Sequence, residues 1–138
     1  MIESDKILEK LNAVSKDTLM GHLSIEYIEV GDHFLVARMP VNNTTRQPMG
    51  ILHGGAALAL SESVGSALSA ISIDLLHFDV KGMEINANHI RSVKDGYVTA
   101  YAKFLHKGKL THIVEIKVLN QHSKLVTICR LTNVIIEK

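Results

Sequence analysis

Residues 47–66 read QPMGILHGGAALALSESVGS, which puts two glycines just before a run rich in alanine and leucine, and a carboxylate inside that run. The start of a helix leaves backbone N–H groups without internal acceptors, and its dipole favours negative charge. Gly54 and Gly55 carry no side chains, so another group can come close to those amides. Such donors suit an ester or thioester carbonyl, whose oxygen gains negative charge under attack. One fixed donor of this kind is worth ~3 kcal/mol of barrier lowering. The dipeptide alone reads more readily as a plain glycine helix start packed on a strand.

Glu62 stands among Ala59, Leu60, Val64 and Ala67. A carboxylate in such surroundings can take a proton from water or attack a carbonyl directly. Ser66 lies one helical turn further on the same side, where it can donate a hydrogen bond to that carboxylate. The competing reading is a solvent-facing glutamate on a polar strip shared with Ser61, Ser69 and Ser72.

Gly54 and Glu62 are eight residues apart, or roughly 12 Å along a helix. Groups acting on one carbonyl must lie within a few ångströms of it. A single helix therefore does not supply both. Two antiparallel copies would, with the start of one helix against the middle of the other. This predicts at least a dimer with composite sites at a two-fold interface.

The rest of the chain must hold that helix. Apolar Ile7, Leu8, Leu11 and Val14 recur at three- and four-residue spacing and predict a helix over 2–14. Residues 18–23 connect it to strands over 24–30 and 33–40, with Gly31-Asp32 as their turn. Residues 41–52 form a loop rich in hydrogen-bonding side chains. The central helix runs from about 54 to 72, with Ala56, Ala57, Leu60, Val64, Ala67, Leu68 and Ile71 at helical spacing. Its many small residues predict burial on most sides. Residues 74–79 link it to four strands, 81–91, 97–106, 111–120 and 124–134. Nothing in this order allows the repeated crossover helices of a parallel sheet. The expected class is α+β, a mostly antiparallel sheet curled around one buried helix.

The whole chain of 138 residues fits one domain. A net charge of +1 argues against a general nucleic-acid binder. His106, Lys107 and Lys109, with Arg91 and Lys94, form a local cationic cluster suited to a phosphorylated small molecule or to a solvated turn. The lone Cys129 excludes an intrachain disulfide and reads as a small buried hydrophobe. The histidines have no zinc-ligand spacing, so no metal is expected. No stretch reaches the ~20 apolar residues of a membrane span. The first residues are a charged amphipathic stretch rather than a leader, so no membrane partner and a cytoplasmic chain are expected.

The ordered set Gln47, His53, Gly54, Glu62 and Ser66, followed by NANH at 86–89, resembles the hotdog-fold acyl-CoA thioesterases. The likeness is to the branch acting on aromatic and related acyl-CoA thioesters, including the 1,4-dihydroxy-2-naphthoyl-CoA thioesterases of menaquinone synthesis. GMEINANHIRSV and HKGKLTHIVEIKV extend it over almost the whole chain. The resemblance implies a curved antiparallel sheet wrapping a long helix, paired into dimers and often tetramers.

It also implies roles. Glu62 would be the catalytic carboxylate, as base or nucleophile, and the Gly54 amide the oxyanion donor. Gln47 would orient or polarise the thioester carbonyl, and His53 would shape the loop. Ser66 would stand beside the carboxylate. His89 and Arg91 fall near the acyl or coenzyme A channel, with Lys107 and Lys109 as candidates for its phosphates. No cofactor is implied, since coenzyme A is part of the substrate. Leu110 departs from relatives that carry a polar or basic residue there, which leaves the phosphate grip open. A hotdog dehydratase and a non-catalytic acyl-CoA-binding protein are the alternatives. Met20, Met83, Ile71 and Leu76 are candidates for the border of the acyl site.

Overall fold

The computed structural model describes residues 3–138. Helix α1 (Glu3–Ser15) precedes a short α2 (Leu19–His22), strands β1 (Glu26–Val30) and β2 (Phe34–Pro40), and the long α3 (Gly54–Ala70). Four strands follow: β3 (Phe78–His89), β4 (Tyr97–Lys107), β5 (Thr111–Asn120) and β6 (Leu125–Glu137). Ile2, where the first helix was expected to begin, lies outside the described residues. The expected connection at 18–23 contains α2, because the Thr18 side chain caps it by accepting from the Met20 N–H.

All strands form one six-stranded sheet in the order β1-β2-β4-β5-β6-β3. Each neighbouring pair is antiparallel. The helix α3 packs against β2, β3, β4, β5 and β6, so the sheet curls around it. The α+β hotdog architecture expected from the sequence is therefore the observed one. The two outer strands of the sheet are β1 and β3. Asn12 of α1 occupies part of the β1 side: its Oδ1 accepts from the Tyr27 N–H at 2.8 Å and its Nδ2 donates to the Tyr27 carbonyl at 2.9 Å.

The helix α3 buries Ala56, Ala57, Leu60, Val64, Ala67 and Leu68, as its spacing predicts. Cys129 is buried with them. Ser61 and Ser69 are buried too, at 0% exposure, so they do not belong to a solvent-facing strip. Ser61 Oγ donates to the Ala57 carbonyl one turn back, which satisfies its donor within the helix. The strands β3 and β6 are longer than expected. Phe78, Asp79 and Val80 pair with Glu137, Ile136 and Ile135 and draw part of the supposed linker into the sheet.

Leu60 is fully buried on α3. Leu60→Ala is expected to lower stability by about 2–5 kcal/mol, through lost burial and the cavity left behind. Urea unfolding monitored by circular dichroism checks this: the midpoint falls while the slope stays unchanged.

Candidate active site

His53 ends the loop and caps α3. Its backbone is extended, with φ −69° and ψ 131°, and its Nδ1 accepts from the Gly55 N–H at 2.7 Å. A neutral His53 ring so engaged carries its proton on Nε2. The His53 carbonyl accepts from the N–H groups of Ala56 and Ala57. The Gly54 N–H is the first of the helix and finds no acceptor among the described residues. It is a free donor at the positive end of the helix dipole.

The loop before it is tied down. Leu52 N–H donates to the Val93 carbonyl at 2.7 Å, His53 N–H to Thr45 at 2.8 Å, and Arg46 Nε to Lys94 at 2.9 Å. Within the loop, Gln47 Oε1 accepts a short hydrogen bond from the Met49 N–H. That contact turns the side-chain NH2 of Gln47 away from the turn, free to donate elsewhere.

His89 arrives from the end of β3. Its Nδ1 pairs with Thr127 Oγ1 at 3.1 Å, across the β3–β6 register. Its Nε2 lies 2.8 Å from where a Cβ on Gly54 would sit, so the bare glycine is what lets the imidazole in. Arg91 follows, its Nη1 donating to the Leu125 carbonyl at 2.6 Å. Gln47, His53, Gly54, His89 and Arg91 together line one cleft of about 290 Å³, with Ser92 and Thr127 completing its polar wall. Ser92 and Thr127 were not anticipated. Thr127 reaches His89 only through strand register, which leaves no local mark in the sequence.

Glu62 and Ser66 are not in that cleft. They line a second groove, of about 710 Å³, walled mainly by apolar side chains that include Val14, Leu19, Met20, Tyr27 and Leu58. Val14 and Leu19 are 64% and 60% exposed, an apolar surface open to a ligand. Met20 borders this groove. Met83, Ile71 and Leu76 do not line it. Burial pushes the Tyr27 phenol up to about 12, against a smaller opposing effect of Ser15, so the phenol is uncharged at working pH. The Glu62 side chain is accessible within a single chain. Ser66 Oγ does not bond it but donates to Asn133 Oδ1 at 3.4 Å.

Asn133 belongs to a buried polar cluster under α3. Its Nδ2 donates to Ser69 Oγ at 2.9 Å, and Ser69 Oγ lies 3.0 Å from His112 Nδ1. His112 and Asn133 face each other across the β5–β6 register, so one serine hydroxyl ties the helix to two strands. Burial, helped by the Lys107 charge, holds the His112 imidazole below its ordinary value. Neutral His112 can therefore accept from Ser69. Lys107 and Lys109 line a third groove near the far end of α3, with Asp74, Phe78, Leu110 and His112. Within one chain they are apart from the Gly54 cleft. Burial also raises the Cys129 thiol, which keeps it protonated and unreactive. Among the described residues no group of three histidine, cysteine or carboxylate side chains could hold a metal, and no helix is long and apolar enough to cross a membrane.

A free amide at a helix start, a polar cleft around it and a carboxylate midway along the same helix suit acyl transfer to water. The profile of the thioesterase superfamily matches residues 49–127, which include His53, Gly54, Glu62, His89 and Arg91 though not Gln47, and the chain belongs to that superfamily. It is a hotdog-fold enzyme that hydrolyses thioesters. Among its relatives, the 1,4-dihydroxy-2-naphthoyl-CoA hydrolase of Escherichia coli is 40% identical over 137 residues, covering 99% of this chain and 100% of that protein. A mutant thioesterase PA1618 from Pseudomonas aeruginosa has the same fold at a TM-score of 0.94 and 39% identity, covering 95% of this chain and 94% of that one. The thioesterase HI1161 from Haemophilus influenzae superposes at 0.91 with 37% identity, covering 94% and 90% of the two chains.

The lowered His112 value has a consequence for stability. An unfolded histidine titrates near 6.5, whereas folded His112 stays neutral to lower pH. Between those two values the unfolded chain binds the extra proton, so stability falls as pH drops through that window. Thermal melts from pH 7.5 to 5 are expected to show this fall in the wild type and a smaller one in His112→Gln.

Proposed function

We propose that this enzyme hydrolyses an aryl or medium-chain acyl-CoA to free acid and coenzyme A, with 1,4-dihydroxy-2-naphthoyl-CoA as the leading candidate and menaquinone synthesis as its setting. The observation that carries the reading is the unpaired Gly54 N–H in a polar cleft with Gln47, His53, His89 and Arg91. Gly54 N–H and the Gln47 NH2 hold the thioester carbonyl oxygen. Glu62 takes a proton from water, the resulting hydroxide attacks the carbonyl carbon, and the C–S bond breaks to release the coenzyme A thiolate. In the other route Glu62 itself attacks and water then cleaves the mixed anhydride. Ser66 stands beside the carboxylate's turn of helix, and His53 sets the loop.

The carbonyl donors and the carboxylate line different cavities of one chain. The active unit is therefore a homodimer, in which Glu62 of the partner subunit meets the Gly54 cleft, and two dimers form a tetramer. The free edge of β3, 12 residues long with Met83 69% exposed, supports such pairing. His89 and Arg91 face the incoming coenzyme A arm, and Lys107 and Lys109 take its phosphates across the subunit boundary. The apolar groove beside Glu62 takes the acyl group.

Thiol release is measured with 1,4-dihydroxy-2-naphthoyl-CoA, benzoyl-CoA, hydroxyphenylacetyl-CoA and straight-chain acyl-CoAs. The aryl substrates are expected to lead, and Glu62→Ala to lose about 10²–10⁴-fold in kcat. Undiminished turnover by Glu62→Ala would remove the carboxylate from the mechanism. A mixed dimer of Glu62→Ala and Gln47→Ala chains holds one intact composite site. Unfolding and refolding an equal mixture is expected to restore roughly a quarter of wild-type activity if sites span subunits. No recovery would place both residues in one subunit's site.

A further inference from the structure

We infer that Gly82 is a positioning residue: its bare backbone on β3 is the seat that aims the Glu62 carboxylate. The inference rests on the reading of Glu62 as the catalytic carboxylate. A Cβ added at Gly82 would collide with Glu62 Oε1, and would lie 3.5 Å from Glu62 Cδ and 3.9 Å from Asn133 Oδ1. Only the carboxylate oxygen is in conflict; the other two are ordinary contacts. The backbone does not require glycine here, since the left-handed glycines are Gly50 and Gly96. What the missing side chain provides is room for Glu62. A glycine inside a strand weakens it and often marks such a close approach.

The surroundings make the seat firm. Gly82 pairs with Asn133, and the register slips between Gly82 and Glu84, so β3 bulges at this point. Glu62, Ser66 and Ser69 lie one and two turns apart on one side of α3. Ser66 and Ser69 are both bonded to Asn133. The helix is thus pinned in rotation by Asn133, and the next residue of that stripe rests on Asn133's strand partner. The three together set the direction of a side chain that has free rotors of its own.

Because the obstructing atom is the end of a flexible side chain, a methyl group at 82 should turn Glu62 away rather than unfold the chain. Gly82→Ala is expected to lower kcat by about a hundredfold, the cost of misplacing a reacting group by about an ångström, with KM within about twofold and the melting temperature nearly unchanged. In Glu62→Asp, whose shorter side chain withdraws from the seat, the same substitution should cost much less. Inactive Glu62→Ala beside fully active Gly82→Ala overturns the seat alone, and active Glu62→Ala overturns the reading beneath it. An equal loss of kcat from Gly82→Ala in wild-type and Glu62→Asp backgrounds also overturns it. Should Gly82→Ala fail to fold, Glu62→Ala/Gly82→Ala decides: folding like Glu62→Ala upholds the contact, and failure to fold removes it.

Discussion

Everything in this molecule depends on how closely α3 approaches the sheet. At Gly65 a Cβ would stand 2.7 Å from Leu131 Cδ2 and 3.3 Å from Ile116 Cδ1. The helix lies in the curve of the sheet because that position has no side chain. A glycine inside a helix costs about 0.5–1 kcal/mol relative to alanine. Burying each of Leu60, Val64 and Leu68, all fully covered here, returns about 1.5–3 kcal/mol. The close approach wins by a wide margin, and it sets the depth at which every group on α3 is presented.

Depth alone does not fix rotation about the helix axis. Apolar packing on a small-residue surface is tolerant of rotation, whereas hydrogen bonds are directional. The buried cluster of Ser69, Asn133 and His112 supplies the direction. Burying three polar side chains would be costly if any were left unpaired, and none is among the described residues. Their pairing across β5, β6 and α3 admits one rotation of the helix and one register of the strands. The same rotation puts Glu62 against Gly82 and directs the start of the helix, with its free amide, into the polar cleft.

The helix α3 was legible because apolar residues recur at helical spacing with no proline to interrupt them. Gln47, His53, Gly54, His89 and Arg91 were legible as candidates, and the structure gathers them in one cleft. What the sequence could not show depends on register. The strand β3 was expected to begin three residues late and β6 to stop three residues short, and the two errors are one: residues 78–80 have 135–137 as their partners. Ser66 was expected on Glu62, its neighbour one turn away, but bonds Asn133, 67 residues along the chain. Thr127 meets His89 over 38 residues for the same reason. Gly82 was not singled out, since an isolated glycine in a strand marks a close approach without naming the partner. Ser61 and Ser69 misled because a serine in a helix can satisfy itself on a carbonyl one turn back, or join a buried cluster, as readily as face water.

On the proposed roles of Gly54 and Glu62, the division of the helix into two working regions follows from its length. A free amide is available only at the first turn, where no carbonyl precedes it. A carboxylate placed in that first turn would compete with the substrate oxygen for the same amides and the same end of the dipole. Two turns further on, Glu62 escapes that competition but moves out of reach of a carbonyl held at Gly54. The apolar groove then lies beside the carboxylate and the polar cleft beside the amide. A substrate with a polar carrier at one end and an apolar acyl group at the other matches that separation. On the proposed reading, pairing two antiparallel helices is the economical way to bring the amide of one to the carboxylate of the other.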